Sequence, residues 1–261
     1  MKMAANRSED PTVSESLKTV RGIVTYRSRR SPVARLFCCS YAGGGSTAYS
    51  AWRDGLPDDI ELCAFELPGR GGRFREAPLR SMSDVVDHIE TLLGGRLDLP
   101  FALYGHSMGA VTALEVARRL VGNGRQPRCL VVSGCAAPHL PSRRERPLYQ
   151  LPRTELLHEL NRLEGLPSVM LQREDFLDTF LPTIRADMEC RERWISRIDD
   201  LAIPIHALGG THDKMVSYSD LSAWQHYTSS TFAVKQFAGG HFFINTAMHE
   251  LVSYIAAVMN A

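Results

Sequence analysis

Three short stretches carry residue types that could make an alcohol react. The first is Gly105-His106-Ser107-Met108-Gly109, entered by the apolar run Phe101-Ala102-Leu103-Tyr104 and followed at once by a helix-forming segment, residues 110–120. A Gly-x-Ser-x-Gly between a strand and a helix is the setting of a nucleophile elbow. The turn is so sharp that glycine is needed at both flanks, where a Cβ would strike neighbouring backbone. The serine then stands out at the top of a sheet, over a helix N-terminus that favours negative charge. A serine hydroxyl is a weak nucleophile until a base takes its proton, and that base needs an orienting acid. For an elbow of this kind the order along the chain is serine, acid, histidine. The second and third stretches meet that order: Gly209-Gly210-Thr211-His212-Asp213 follows one apolar strand and Ala238-Gly239-Gly240-His241 follows the next. Loops at adjacent strand ends bring Asp213 and His241 to the elbow, where Asp213 would fix the tautomer of His241 and steady its imidazolium.

Acyl chemistry also needs donors where oxyanion charge develops. One is the backbone N–H of Met108, the residue after Ser107. The other belongs on the loop after an early strand, where Ala42 stands before Gly43-Gly44-Gly45. This glycine run is no phosphate-binding loop, because no Gly-Lys-Ser/Thr follows it. Other titratable residues fit less well. His106 precedes the serine inside the turn and reads as structural. His212 points away along its loop, His206 lies in a strand, and His226 and His249 lie on helices. Asp187, two residues after Arg185, reads as a local ion-pair partner or a solvated charge.

The elements that must position these residues alternate. Residues 22–26, 35–40 and 61–65 read as early strands, with a helix capped by Ser46 running through Trp52. A helix starting near Ser81 carries Val85, Val86, Ile89, Leu92 and Leu93 at helical spacing. After the elbow, residues 129–133 form a continuous apolar run of the kind buried on both faces. Residues 203–208, a helix over 218–227, a strand over 231–237 and a last amphipathic helix ending near Met259 complete the pattern. Alternation of this sort gives an α/β chain with a mostly parallel central sheet flanked by helices. Between about 138 and 200 it is interrupted. Leu148, Leu156, Leu160, Phe176, Leu181 and Ile184 recur at helical intervals with no strand, which predicts a helical lid insertion over the carboxyl edge of the sheet. Residues 1–20 read as a flexible N-terminal tail, and residues 21–261 as one domain.

The chain has 261 residues, of which 44% are hydrophobic and 23% charged, with a formal net charge of +1. Near-neutral charge argues against nucleic acid or an anionic membrane as the main partner. No run is long and apolar enough to span a membrane, and the polar start lacks the apolar core of a secretory signal, which points to the cytoplasm. The six cysteines (38, 39, 63, 129, 135 and 190) mostly lie in or beside apolar runs, with no Cys-x-x-Cys pair. They read as reduced, buried thiols, and no Cys/His cluster has the spacing of a metal site. The serine chemistry calls for no cofactor, and a monomer is the default expectation.

Taken together the motifs resemble the type II thioesterases of polyketide and nonribosomal peptide assembly lines. The resemblance rests on Tyr41-Ala-Gly-Gly-Gly45, Glu66-Leu-Pro-Gly-Arg-Gly71, Gly105-His-Ser-Met-Gly109, Ser133-Gly134 with Ala137-Pro138-His139, Arg185-Ala-Asp187, Gly210-Thr-His-Asp213 and Gly239-Gly-His-Phe-Phe243. These occur in order from about residue 35 to the C-terminus. Ala238 departs from the pattern, standing where a proline is common. The resemblance implies the α/β-hydrolase fold, a Ser107–Asp213–His241 triad, and an oxyanion hole at Ala42 and Met108. It also implies hydrolysis of acyl or aminoacyl groups from the phosphopantetheine thiol of carrier domains, which clears stalled or misprimed synthases. An ordinary triad suffices, since a thiolate leaves with little help. Carrier domains are usually acidic, so Arg143, Arg144 and Arg146, or Arg70 and Arg73, are candidate docking residues, against the simpler reading of a solvated charge run. Alternatives are a carboxylesterase acting on oxoesters, a product-releasing thioesterase, and a carrier-binding module without catalysis. Against the product-releasing kind, no carrier-like Gly-x-Asp-Ser precedes residue 35; against a non-catalytic module stands the intact Ser/Asp/His order.

Overall fold

A computed structural model describes residues 17–20, 22–26, 30–163 and 173–260. Eight strands form one sheet: β1 (Leu17–Val20), β2 (Ile23–Tyr26), β3 (Ala34–Cys39), β4 (Ile60–Phe65), β5 (Phe101–His106), β6 (Leu130–Ser133), β7 (Ile205–Gly210) and β8 (Phe232–Phe237). Their order is β1-β2-β4-β3-β5-β6-β7-β8. The β1–β2 and β2–β4 pairs are antiparallel, and every pair from β4 through β8 is parallel. Leu17–Val20 were expected in the tail; they form the edge strand instead, paired from Leu17 opposite Tyr26 to Val20 opposite Ile23. Four residues in a polar context give too little alternation to announce a strand, and their place is set by the partner strand. Residues 1–16 of the expected tail lie outside the described residues.

Period-two alternation divides the side chains between two faces. Phe37 and Cys39 of β3 and Leu103 of β5 face one way, against α1 (Met82–Leu93) and α2 (Met108–Gly122). Leu36 and Cys38 of β3 and Tyr104 of β5 face the other way, against Tyr49, Trp52 and the C-terminal helix. Parallel strands covered on both sides are apolar throughout, and all six residues of β5 are buried. Ser81 caps α1, its side chain accepting from the Asp84 N–H at 3.5 Å. The Ser46–Asp54 segment differs from expectation: it is a 3-10 helix, its cap position is Gly45, and the Ser46 hydroxyl donates to Glu66 Oε2 at 2.5 Å rather than capping. All six cysteines are buried and unpaired.

The interruption is helical, as the leucine spacing predicts. It contains a 3-10 turn at Leu148–Gln150, α3 (Arg153–Arg162) and α4 (Glu174–Arg193), while residues 164–172 lie outside the described residues. Leu148, Leu156, Leu160, Leu177, Leu181 and Ile184 build a third apolar cluster of their own. The expected 218–227 helix is α5 (Tyr218–Ser222) running into a 3-10 turn at Ala223–Tyr227, and two helices close the chain, α6 (Phe243–Thr246) and α7 (Met248–Met259).

Candidate active site

Ser107 sits between β5 and α2 with φ 55° and ψ −119°. It is the only non-glycine residue with positive φ among the described residues. Such backbone costs about 1–3 kcal/mol and persists only where the surroundings over-determine it. Here they do. The Ser107 N–H donates to the Ser133 carbonyl of β6 at 2.8 Å. A Cβ on Gly105 would stand 1.9 Å from the Gly109 carbonyl oxygen, and one on Gly109 would stand 2.1 Å from the Cys39 carbonyl oxygen. Both obstacles are backbone, so the two glycines are what let α2 start hard against β5 and β3.

Asp213 and His241 meet at the ends of β7 and β8. The His212 N–H donates to Gly239 O and the Thr211 N–H to Phe237 O, each at 2.8 Å, while a Cβ on Gly210 would lie 2.2 Å from Gly240 O. That close approach brings His241 Nδ1 to 2.8 Å from Asp213 Oδ2. The other carboxylate oxygen accepts from the Met215 N–H at 2.8 Å and the Val216 N–H at 3.3 Å. The Asp213 side chain is fully buried, so these three donors replace water around its charge. A carboxylate on Nδ1 fixes the proton there and leaves the Nε2 lone pair as the basic site. His106 packs its ring 5.1 Å from that of His241 and has Nδ1 3.0 Å from Ser133 Oγ. Burial, and secondarily the charge on His241, holds the His106 pKa well below its ordinary value. His106 is therefore a neutral wall behind His241. Of the other histidines, His212 meets the Thr211 hydroxyl at 3.0 Å, His206 meets the Tyr254 hydroxyl at 2.9 Å, and His226 packs on His139.

Ala42 lies on the loop after β3, and the residues around it form a clamp that sequence reasoning missed. The Gly43 N–H donates to Asp187 Oδ2 at 2.7 Å. Arg70 grips the same carboxylate with two bonds of 2.8 and 2.7 Å and also donates to Gly44 O at 2.9 Å. Gly43 has φ 76°, and a Cβ there would lie 2.5 Å from Ile184 Cγ1. Helix α4 of the lid thus rests directly on the Ala42 loop. Asp187 is neither solvated nor paired with Arg185, whose guanidinium instead donates to the carbonyls of Tyr149 and Leu151. Arg70, being buried on Asp187, is not a docking residue. Arg73 is likewise spent on Glu76, the Glu66 carbonyl and His88. Arg143, Arg144 and Arg146 pair with Asp220, Glu159 and Glu155. In the sequence, the clamp is signalled only by Arg70 and Asp187 each lying in a motif that carries the family resemblance.

The parts converge on one cavity of about 1060 Å³, lined by Ser107, Met108, Ala42 and His241 and roofed by Leu148, Leu160, Ile184 and Met188 of the lid. The Met108 N–H, at the first turn of α2, and the Ala42 N–H donate to no acceptor among the described residues. The site therefore offers a strained serine, a carboxylate-oriented imidazole and two free backbone N–H groups around one chamber with both apolar and charged walls.

A thioesterase-domain family profile matches residues 34–259. The chain is 35% identical over 223 residues to the gramicidin S biosynthesis protein GrsT of Aneurinibacillus migulanus, covering 85% of this chain and 87% of that one. It is 32% identical over 229 residues to the thioesterase PikA5 of Streptomyces venezuelae, covering 85% and 79%. Among solved structures, the type II thioesterase BorB from the borrelidin biosynthetic cluster superposes with a TM-score of 0.82 at 31% identity, over 94% of this chain and 98% of BorB. With the α/β-hydrolase topology and these matches, the chain belongs to the thioesterase family, as a type II thioesterase.

Proposed function

We propose that this enzyme removes acyl or aminoacyl groups from the phosphopantetheine thiol of carrier domains by an acyl-enzyme route through Ser107. The observation that carries the reading is the 2.8 Å Asp213–His241 bond at the wall of the cavity that Ser107 also lines. His241 Nε2 takes the Ser107 proton as Oγ adds to the thioester carbonyl. The carbonyl oxygen becomes an oxyanion, which the Ala42 and Met108 N–H groups receive. Collapse breaks the C–S bond, and the thiolate leaves with the proton that His241 holds. Water, deprotonated by His241, then adds to the acyl-serine ester; the second collapse frees the carboxylic acid and returns the proton to Ser107. Asp213 keeps its charge throughout and steadies the imidazolium.

Carrier-borne substrates are supported by similar thioesterases named for the borrelidin biosynthetic cluster and the yersiniabactin NRPS/PKS pathway, and by a chamber large enough for an acyl chain. The buried, unpaired cysteines support work in the reducing cytoplasm, and we read the chain as a monomer. The test compares acyl carrier and acyl-N-acetylcysteamine thioesters with the matching nitrophenyl oxoesters. Hydrolysis favouring the thioesters, lost in Ser107→Ala, is expected; a strong oxoester preference would overturn the reading in favour of a carboxylesterase.

A further inference from the structure

The chamber has walls of two kinds. The wall toward α3 mixes leucines with the charged side chains of Arg143, Arg144, Glu159 and Arg162. The other wall is an apolar strip: Met108, Cys135, Ala137, Leu140 and Trp194 line the chamber and pack in one cluster with the α1 and α2 side of the sheet. Met108 follows Ser107 in the chain, so the strip begins at the nucleophile. Arg191 adjoins its middle, with the guanidinium held at the Cys135 thiol. Trp194, the residue after α4, stands at its other end. The indole N–H donates to Glu115 Oε1 at 3.0 Å. The same oxygen accepts from the Ser196 hydroxyl and from Arg118 Nη1, each at 2.7 Å. Glu115 is only 10% exposed, so the carboxylate that pins the indole is itself held in place on α2.

The helix gives the strip a length. Glu115 comes eight residues after Ser107 on α2, about 12 Å further along the axis at about 1.5 Å per residue. An extended chain advances about 1.2 Å per bond, so a linear acyl group of roughly six to eight carbons on Ser107 reaches the indole. An apolar chain gains by lying on the apolar strip and loses by displacing water from the ionised groups opposite. The indole cannot swing aside without taking a donor from the Glu115 carboxylate. We propose that Trp194 is the end stop of the acyl site, a specificity-determining side chain that limits the enzyme to linear acyl thioesters of about eight carbons or fewer. This rests on the thioesterase reading above and narrows its substrate class.

The test measures kcat/KM for butyryl-, hexanoyl-, octanoyl- and decanoyl-N-acetylcysteamine below micelle-forming concentrations, with uncatalysed hydrolysis subtracted. With the unaltered enzyme, kcat/KM should climb with each methylene up to octanoyl, by at most about four-fold apiece, and be no higher for decanoyl. In Trp194→Ala the decanoyl-to-hexanoyl ratio should rise about ten-fold, the worth of two further buried methylenes. Trp194→Phe, which keeps a ring at the stop, should retain most of the limit, and Trp194→Leu carries the same test if the alanine variant does not fold. A climb that continues through decanoyl in the unaltered enzyme would overturn the proposal without any variant. So would a ratio that Trp194→Ala leaves unchanged, or a decline of all chain lengths by one factor, which is what a merely structural tryptophan gives. Failure of the unaltered enzyme on every thioester, with the matching oxoesters cleaved, would sink the thioesterase reading instead, and the same ratios taken on the oxoesters would then decide the end stop.

Discussion

Replacing Asp187 tests whether the lid holds in place the Ala42 loop, which we propose as the source of one oxyanion donor. Its carboxylate accepts three hydrogen bonds, two from Arg70 and one from the Gly43 N–H, and neither side chain of the ion pair is more than 3% exposed. Removing one partner of a buried pair leaves the other charge without water or counterion, at a cost of about 3–5 kcal/mol. With unfolding entropy of about 2.1 cal/mol/K per residue, a chain of 261 residues shifts by about 2 °C per kcal/mol, so Asp187→Ala should melt about 6–10 °C lower. Asp187→Asn keeps one acceptor and should fall at the lower end of that range. Activity should suffer separately, because Gly43 follows Ala42 and loses its tether. Loss of one oxyanion donor typically costs about 10²–10³ in kcat. A displaced donor should cost less, about 10–100-fold in kcat with KM little changed. Thermal melting and steady-state kinetics on one thioester, run well below the variant's Tm, give both numbers. A variant with normal Tm would contradict the energetics. A lowered Tm with normal kcat would show that the clamp supports the fold and does not position the loop.

Ser107→Gly and Ser107→Ala should both abolish turnover, but glycine relieves the φ 55° strain while alanine keeps its Cβ. The glycine variant should melt about 2 °C higher than the alanine variant, a net of about 1 kcal/mol after the extra freedom of the unfolded glycine; equal or reversed Tm values would refute the strain argument. Asp213→Asn should leave the fold intact and lower kcat by about 10³–10⁴-fold, since an amide no longer dictates the His241 tautomer. Wild-type turnover in that variant would remove Asp213 from the mechanism. His106 predicts a pH effect. Its folded pKa is depressed by burial and then by His241, so below the ordinary value of 6.5 the unfolded chain takes a proton that the folded chain refuses. Stability should therefore decline as pH drops below about 6.5, by at most about 1.4 kcal/mol per unit for this group, and be flat for it above. Tm measured between about pH 5 and 8 should depend less steeply on pH in His106→Gln; an unchanged slope would contradict the burial argument.

The parts of the site governed by local rules were legible in the sequence. The elbow announces itself because two glycines, a strand and a helix are contiguous, and the Asp213 and His241 loops because each follows an apolar run. The parallel sheet and the helical lid followed from periodicity in the same way. What escaped was long-range and polar. Asp187 lies 117 residues from Arg70, and nothing near either residue says that they meet. Ser46 has the chemistry of a helix cap, yet Glu66 claims its hydroxyl across 20 residues. Leu17–Val20 become a strand only because β2 has a free edge to offer. In each case the deciding partner is fixed by tertiary packing, which overrides local preference.

The central claim, that His241 activates Ser107, is tested most directly by a fluorophosphonate probe with the adduct mapped by mass spectrometry. One adduct, on Ser107, is predicted, forming at least about a hundred-fold more slowly in His241→Ala, as expected when a general base is lost. Labelling at another residue, or at an undiminished rate without the imidazole, would contradict it.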